Sequence, residues 1–123
     1  MKALSIMVVD DEEGIRELIH DVLEQQGHKV ICAENGIEAI SMLSSHPVDV
    51  VYLDIRMPNG DGLTALKKMQ EMWPSMPVIM ITGCGQREAI DEAIDLGSFA
   101  CLIKPFSTRD ILGMLDAVQI AGA

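Results

Sequence analysis

The sequence predicts an α/β protein, a doubly wound parallel sheet of five strands with five helices, and three observations carry that reading. Five short runs rich in Val and Ile alternate with five stretches of helical periodicity. The apolar runs mostly lack the period-two alternation of a strand with one wet face, so they read as strands covered on both sides. The order is a βα pair repeated along the whole chain, which right-handed crossovers close into one sheet with helices on both faces.

The strands are expected over residues 4–9, 29–33, 48–53, 77–81 and 100–103. In the first helix Ile15, Leu18, Ile19, Val22 and Leu23 form an i, i+3, i+4, i+7, i+8 stripe, and Gly27 is placed to end it. Ile37, Ile40 and Leu43 mark the second, which Asn35 opens with Glu38 three residues later. Leu63, Leu66, Met69 and Trp73 mark the third, stopped by Pro74. The fourth carries Ala89, Ile90, Ala93 and Ile94 and ends at Gly97. Ile111, Leu112, Leu115 and Val118 mark the last, with Ser107 and Asp110 as a capping pair.

At 123 residues the chain is expected to be a single domain, 1–123. No apolar run approaches the roughly 20 residues needed to cross a bilayer. The apolar N-terminus imitates a signal peptide, but acidic residues follow from Asp10 to Glu13 and no small-residue cleavage site appears, so a cytoplasmic protein is expected. The formal charge of −10 argues against direct nucleic-acid binding, because phosphate backbones are gripped by Lys and Arg clusters. Cys32, Cys84 and Cys101 are far apart and read as reduced thiols, with Cys32 and Cys101 in the core. His20, His28 and His46 share no metal-ligand spacing, which makes zinc an unsuitable occupant.

Folds of this kind place ligands at the carboxyl ends of their strands. The first expected strand runs into Asp10-Asp11, the third into Asp54, the fourth into Thr82 and the fifth into Lys104. Singly, each has a plainer role: a helix cap for Asp10 or Asp11, a strand-end charge for Lys104, the start of a Met57-Pro58-Asn59-Gly60 turn for Asp54. Their arrival on one edge from separate strands points to chemistry. Carboxylates about 4 Å apart repel by roughly 4 kcal/mol per pair at an effective dielectric near 20. Lys104 offsets one charge, and a hard divalent cation offsets more; Mg2+ is the natural occupant and Mn2+ can substitute. Such a cation beside a Lys and a Thr hydroxyl suits phosphoryl transfer, with Asp54 as nucleophile.

Val8-Val9-Asp10-Asp11-Glu12, Leu53-Asp54-Ile55-Arg56-Met57-Pro58 with Gly60 and Gly62, Ile81-Thr82-Gly83 and Lys104-Pro105-Phe106 stand in an order that resembles the response-regulator receiver family of two-component signalling. The resemblance covers essentially the whole chain. It implies a flavodoxin-like sheet of order 2-1-3-4-5 and makes Asp54 the phosphoacceptor, supplied by a histidine kinase, a phosphotransfer protein or a small acyl phosphate. It implies that Asp11, Asp54 and the backbone carbonyl of Arg56 ligate Mg2+, with Asp10 acting mainly through water. Thr82 and Lys104 would contact the phosphoryl oxygens, and the Lys104-Pro105 bond would be cis. The implied protein is a switch that catalyses only its own phosphorylation and dephosphorylation. It would signal to an output domain or downstream protein through its fourth helix, fifth strand and fifth helix, as a monomer or a phosphorylation-dependent dimer.

The chain departs from the family pattern in two places. Cys101 stands three residues before Lys104, where the family often has a Tyr or Phe ring that swings inward on activation. The acidic pair and extra arginines of winged-helix regulators that dimerise through the readout face are missing around residues 97–101. Arg56 and Cys84 occupy positions that tune acyl-phosphate lifetime in the family, and Gly83-Cys84-Gly85 is expected to make the loop before the fourth helix mobile. Two other readings stay open. A haloacid-dehalogenase-like phosphatase shares the Asp, Thr, Lys and Mg2+, but it wants a second Asp where this chain has Arg56. A phosphorylation-independent pseudo-receiver or thiol sensor would instead be built on Cys84 or Cys101. The last residues follow the fifth helix closely, as in a receiver excised from a longer regulator.

Overall fold

The structure, a computed structural model, describes residues 3–57, 62–83 and 85–122. Strand and helix alternate from end to end. The order is β1 (Ser5–Val9), α1 (Glu13–Gln25), β2 (Lys29–Ala33), α2 (Gly36–Ser45), β3 (Val50–Asp54), α3 (Gly62–Met72), β4 (Val78–Thr82), α4 (Arg87–Asp95), β5 (Ala100–Ile103) and α5 (Thr108–Ala121). All strands are parallel, in the order β2-β1-β3-β4-β5, which is the flavodoxin-like arrangement. The order reverses between β1 and β3, so the switch-point crevice opens beyond Val9 and Asp54.

Successive residues of each strand feed two separate apolar layers. Met7, Val9, Val51, Leu53 and Met80 pack beneath α2, α3 and α4, against Leu43, Leu66, Met69 and Ala93. Ile6, Val8, Val50, Tyr52, Ile79 and Ile81 pack beneath α1 and α5, against Ile19, Leu23, Ile111 and Leu115. Every residue of β3 and β4 is buried, which is why these runs show no polar alternation. At about 1.5–3 kcal/mol for each fully buried large aliphatic, these two layers outweigh any surface contact in the molecule. Tyr52, in the second layer, donates its hydroxyl to the Ile111 carbonyl at 2.8 Å, tying β3 to the first turn of α5.

The helix ends follow the sequence signals. Asn35 accepts from the Glu38 N–H at 2.8 Å, and Ser107 with Asp110 forms a full capping box. Gly27 and Gly97, at φ of +88° and +98°, close α1 and α4 in the left-handed region that other residues avoid. The sheet differs from expectation at its carboxyl edge. There β3 and β4 run one residue further than predicted, and the ladder takes in Asp54 and Thr82, because Ile55 N–H bonds Ile81 and Lys104 N–H bonds Thr82. Cys32 and Cys101 are half-buried and not core residues, since β2 and β5 are the edge strands. The Met57-Pro58-Asn59-Gly60 turn, from Pro58 on, and Cys84 lie outside the described residues. Among the described residues no helix is long and apolar enough to cross a membrane.

Candidate functional site

Strand register brings the polar strand ends onto one line. Val9 lies opposite Leu53, Asp54 opposite Ile81 and Thr82 opposite Ile103, so Asp10, Asp54, Thr82 and Lys104 share the carboxyl edge. Asp10, immediately past β1, is fully buried. Its Oδ1 accepts from the Glu12 N–H at 2.9 Å, and its backbone carbonyl accepts from the Arg16 guanidinium at 2.7 Å. Its Oδ2 is buried with no hydrogen-bond partner. The Lys104 ammonium stands 3.9 Å from it, close enough to attract and too far to hydrogen-bond.

Asp54, the last residue of β3, is 5% exposed and accepts from the Arg56 N–H at 3.1 Å through Oδ1. The helix that follows is held hard against it. Gly62 N–H bonds the Ile55 carbonyl at 2.9 Å, and a Cβ at Gly62 would overlap the Asp54 carbonyl oxygen, so only glycine fits there. Carboxylate oxygens of Asp10, Asp11 and Glu12 lie within 4.8 Å of one another, with Asp11 and Glu12 open to solvent. Lys104 reaches Glu12 Oε1 at 3.3 Å. The Lys104-Pro105 peptide is cis. Thr82 is fully buried, and its hydroxyl donates to Gln86 Oε1 at 2.7 Å, with the Gly83 carbonyl further off at 3.3 Å.

The electrostatics of this edge record a shortage of positive charge. Burial pushes the Asp54 carboxyl up to about 7, and the neighbouring Asp10 and Asp11 charges add to it against the opposing Arg56 N–H and Lys104. Burial also raises Asp10, against the Glu12 N–H and Lys104. Lys104 loses some basicity to burial but regains more from Asp10, Asp54 and Glu12, and ends above its ordinary value. Hard carboxylate oxygens, one of them buried with no donor, are the donor set that a small divalent cation takes. The residues present therefore fit such a cation.

Of the residues singled out in the sequence, Asp10, Asp11 and Lys104 gather around the acidic cluster, and Asp54 couples electrostatically to them. Arg56 gives Asp54 its backbone N–H while its side chain faces solvent. Thr82 is on the edge, but its hydroxyl is turned to Gln86. Two participants were given no role in the sequence reading. Glu12 carried a signal, as a third acid directly after Asp10-Asp11. Gln86 carried almost none, because glutamine is not a favoured residue at the start of a helix. The grooves of the opposite edge, one of them lined by Ser5, Lys29, His46 and Pro47, contain none of these groups.

A parallel flavodoxin-like sheet whose carboxyl edge gathers buried aspartates, a threonine and a lysine defines an α/β domain with a ligand site at the carboxyl ends of its strands. The chain belongs to the response regulator receiver domain family, whose sequence pattern it matches over residues 6–116. It is 35% identical over 114 residues to sporulation initiation phosphotransferase F of Bacillus subtilis, spanning 93% of this chain and 90% of that protein. It is 38% identical over 106 residues to the regulatory protein AtoC of Escherichia coli, covering 86% of this chain but only 23% of the relative's length. The crystal structure of NtrX from Brucella abortus superposes with a TM-score of 0.92 at 33% identity, over 98% of this chain and 28% of that one. Receiver domains of two-component systems are signalling switches rather than turnover enzymes; they generally bind Mg2+ at an acidic pocket and interact with kinases, phosphotransfer proteins and output domains.

Proposed function

We propose that this chain accepts a phosphoryl group on Asp54 from a histidine kinase or phosphotransfer partner, in a Mg2+-dependent reaction, and switches conformation to control an output domain or partner protein. One observation carries the reading: a carboxyl group nearly buried at the end of β3 is coupled electrostatically to Asp10, Asp11 and Lys104 on the carboxyl edge of the sheet. Asp10, Asp11, Asp54 and the Arg56 carbonyl would hold the cation, which supplies charge neutralisation and orients the phosphoryl oxygens.

The chain's own residues do the rest. An Asp54 carboxylate oxygen attacks phosphorus in line, the bond to the donor's histidine nitrogen or acyl oxygen breaks, and an acyl phosphate forms on Asp54. Lys104 moves from Glu12 and Asp10 to the developing negative charge, and the Thr82 hydroxyl donates to a phosphoryl oxygen. Hydrolysis of the acyl phosphate by the same site resets the switch, so the chain catalyses only its own phosphorylation and dephosphorylation. Arg56 stands where the phosphatase chemistry would need an acid, which argues against turnover of phosphomonoesters. The exposed apolar residues Ile94 and Ile103, on α4 and β5, suit a readout face, and the whole of 1–123 is taken as one receiver unit working in the cytoplasm.

Incubation with acetyl phosphate and Mg2+ tests the reading. One phosphoryl group per chain is expected on wild type, with none on Asp54→Asn or in excess chelator. Equal labelling of wild type and the variant would overturn it, and no labelling of wild type would favour a phosphorylation-independent interaction module.

A further inference from the structure

The N-cap residues of α1 and α4 share an unusual arrangement. Asn35 and Ser107 cap α2 and α5 with their side chains in the ordinary way, whereas Glu12 and Gln86, at the same position of α1 and α4, make no side-chain cap bond. Glu12 is bonded to Lys104 and Gln86 to Thr82. Both side chains assigned to the phosphoryl group are thus engaged by the N-cap residue of a helix. The Thr82 case has the sharper consequence, because a hydroxyl carries one proton. Phosphoryl oxygens only accept, so Thr82 cannot donate to one while donating at 2.7 Å to Gln86 Oε1.

The helix at stake is the most lightly held in the fold. α4 has nine residues, and Ala93 is the sole one fully buried, where every other described helix buries at least two. At its far end Gln70 of α3 donates to the carbonyls of Gly97 at 2.6 Å and Leu96 at 3.4 Å. Glutamine amides therefore anchor both ends of α4, and only the N-terminal anchor is on the phosphoryl site. Few buried contacts leave such an element near the low end of local stability, where single hydrogen bonds shift populations.

Resting on the reading of Asp54 as phosphoacceptor, we propose that Gln86 is a positioning residue that latches Thr82 in the unphosphorylated protein. On phosphorylation the Thr82 hydroxyl donates to a phosphoryl oxygen instead, which releases Gln86 and loosens the start of α4, while Gln70 keeps its C-terminus in place. This route needs no aromatic ring at position 101, where the chain has Cys101.

Beryllium trifluoride with Mg2+ serves as the phosphoryl probe on the full chain. Removing the latch in Gln86→Ala is expected to tighten its binding by about fivefold, the equivalent of one net hydrogen bond. Gln86→Leu, which keeps the bulk without the acceptor, should agree, and thermal melts of both report whether they fold. In a Thr82→Ala background either change should leave affinity within about twofold, because the double-mutant cycle removes the shared bond. Unchanged or weaker binding in both single variants, or the same gain without Thr82, would overturn the latch. Wild-type protein that binds the probe while Gln86 variants do not differ sinks the latch alone. Wild type that shows no Mg2+-dependent binding sinks the phosphoacceptor reading and the latch with it.

Discussion

The two halves of the carboxyl edge are built from different physics. Among the groups that follow β1 and β5 the contacts are ionic: Asp10, Asp11 and Glu12 crowd together and Lys104 reaches into them. On the β4–α4 side they are neutral: the Thr82 hydroxyl, the Gln86 amide, and the Gln70 amide at the far end of α4. Charge in a partly buried site is worth several kcal/mol and responds to pH, salt and cations, whereas a neutral hydrogen bond is worth about 1 kcal/mol and responds to none of them. The ionic half is thus suited to deciding whether the chemistry occurs, and the neutral half to deciding which conformer the protein occupies afterwards.

The largest expected effect tests that division directly. Lys104→Ala should slow labelling by acetyl phosphate by about a hundredfold or more, as removal of one preorganised donor to developing charge does. Thr82→Ala should cost about tenfold or less, because one neutral hydrogen bond is lost. Single-turnover labelling rates measure both. Equal losses in the two variants would mean that the halves are not separable.

A second test uses pH on the cation-free protein. Asp54 is raised from an ordinary 3.8 to about 7 by burial first and the Asp10 charge second, and Asp10 is raised too. Between about pH 4 and pH 7 the unfolded chain has released protons that the folded chain still holds. Stability should therefore fall as pH rises through this window and level off above it. Asp54→Asn should flatten most of the slope, leaving the part due to Asp10. Because Mg2+ binds the ionised carboxylates, its addition should restore stability at the upper end of the window. Urea titrations at closely spaced pH values, with and without chelator, give the slope. A slope of the same size in Asp54→Asn would place the coupling elsewhere on the ionic side.

The ionic half was largely legible in the sequence, and of the neutral half only Thr82 was. Central strands covered on both faces announce themselves as unbroken apolar runs, so the polar residues that end them stand out, and Asp10, Asp54, Thr82 and Lys104 were found that way. The predicted ends of β3 and β4 fell one residue short because a polar residue reads as the end of an apolar run even where the ladder continues through it. Gln86 gave no signal. Its role depends on how a loop turns a side chain back to a residue four positions earlier, and residue type says nothing of that. His28 was similarly opaque: it is 5% exposed, and its Nδ1 accepts from the Leu4 N–H at 3.0 Å, a tertiary contact between β1 and the start of β2. Cys32 and Cys101 were placed too deep because apolar neighbours in sequence were read as burial, although both lie on the edge strands β2 and β5.

The smallest effect sharpens the comparison most finely, because Glu12 touches both descriptions of the ionic half. It belongs to the carboxylate cluster, and it also pairs with Lys104 at 3.3 Å with its own side chain largely exposed. An exposed pair of this kind contributes about 0–1 kcal/mol, so Glu12→Gln should leave folding stability within ~0.5 kcal/mol of wild type. If Glu12 only tethers Lys104, its loss removes that one contact from the ammonium. Labelling from acetyl phosphate should then rise by about twofold, and Mg2+ affinity should fall by less than about threefold as one nearby charge is removed. Calorimetric Mg2+ titration beside the labelling rate separates the alternatives. A fall in Mg2+ affinity of about tenfold or more would make Glu12 a ligand, and the cluster of Asp10, Asp11 and Glu12 would then be the cation site in its own right, with Asp54 joining it only when the phosphoryl group arrives.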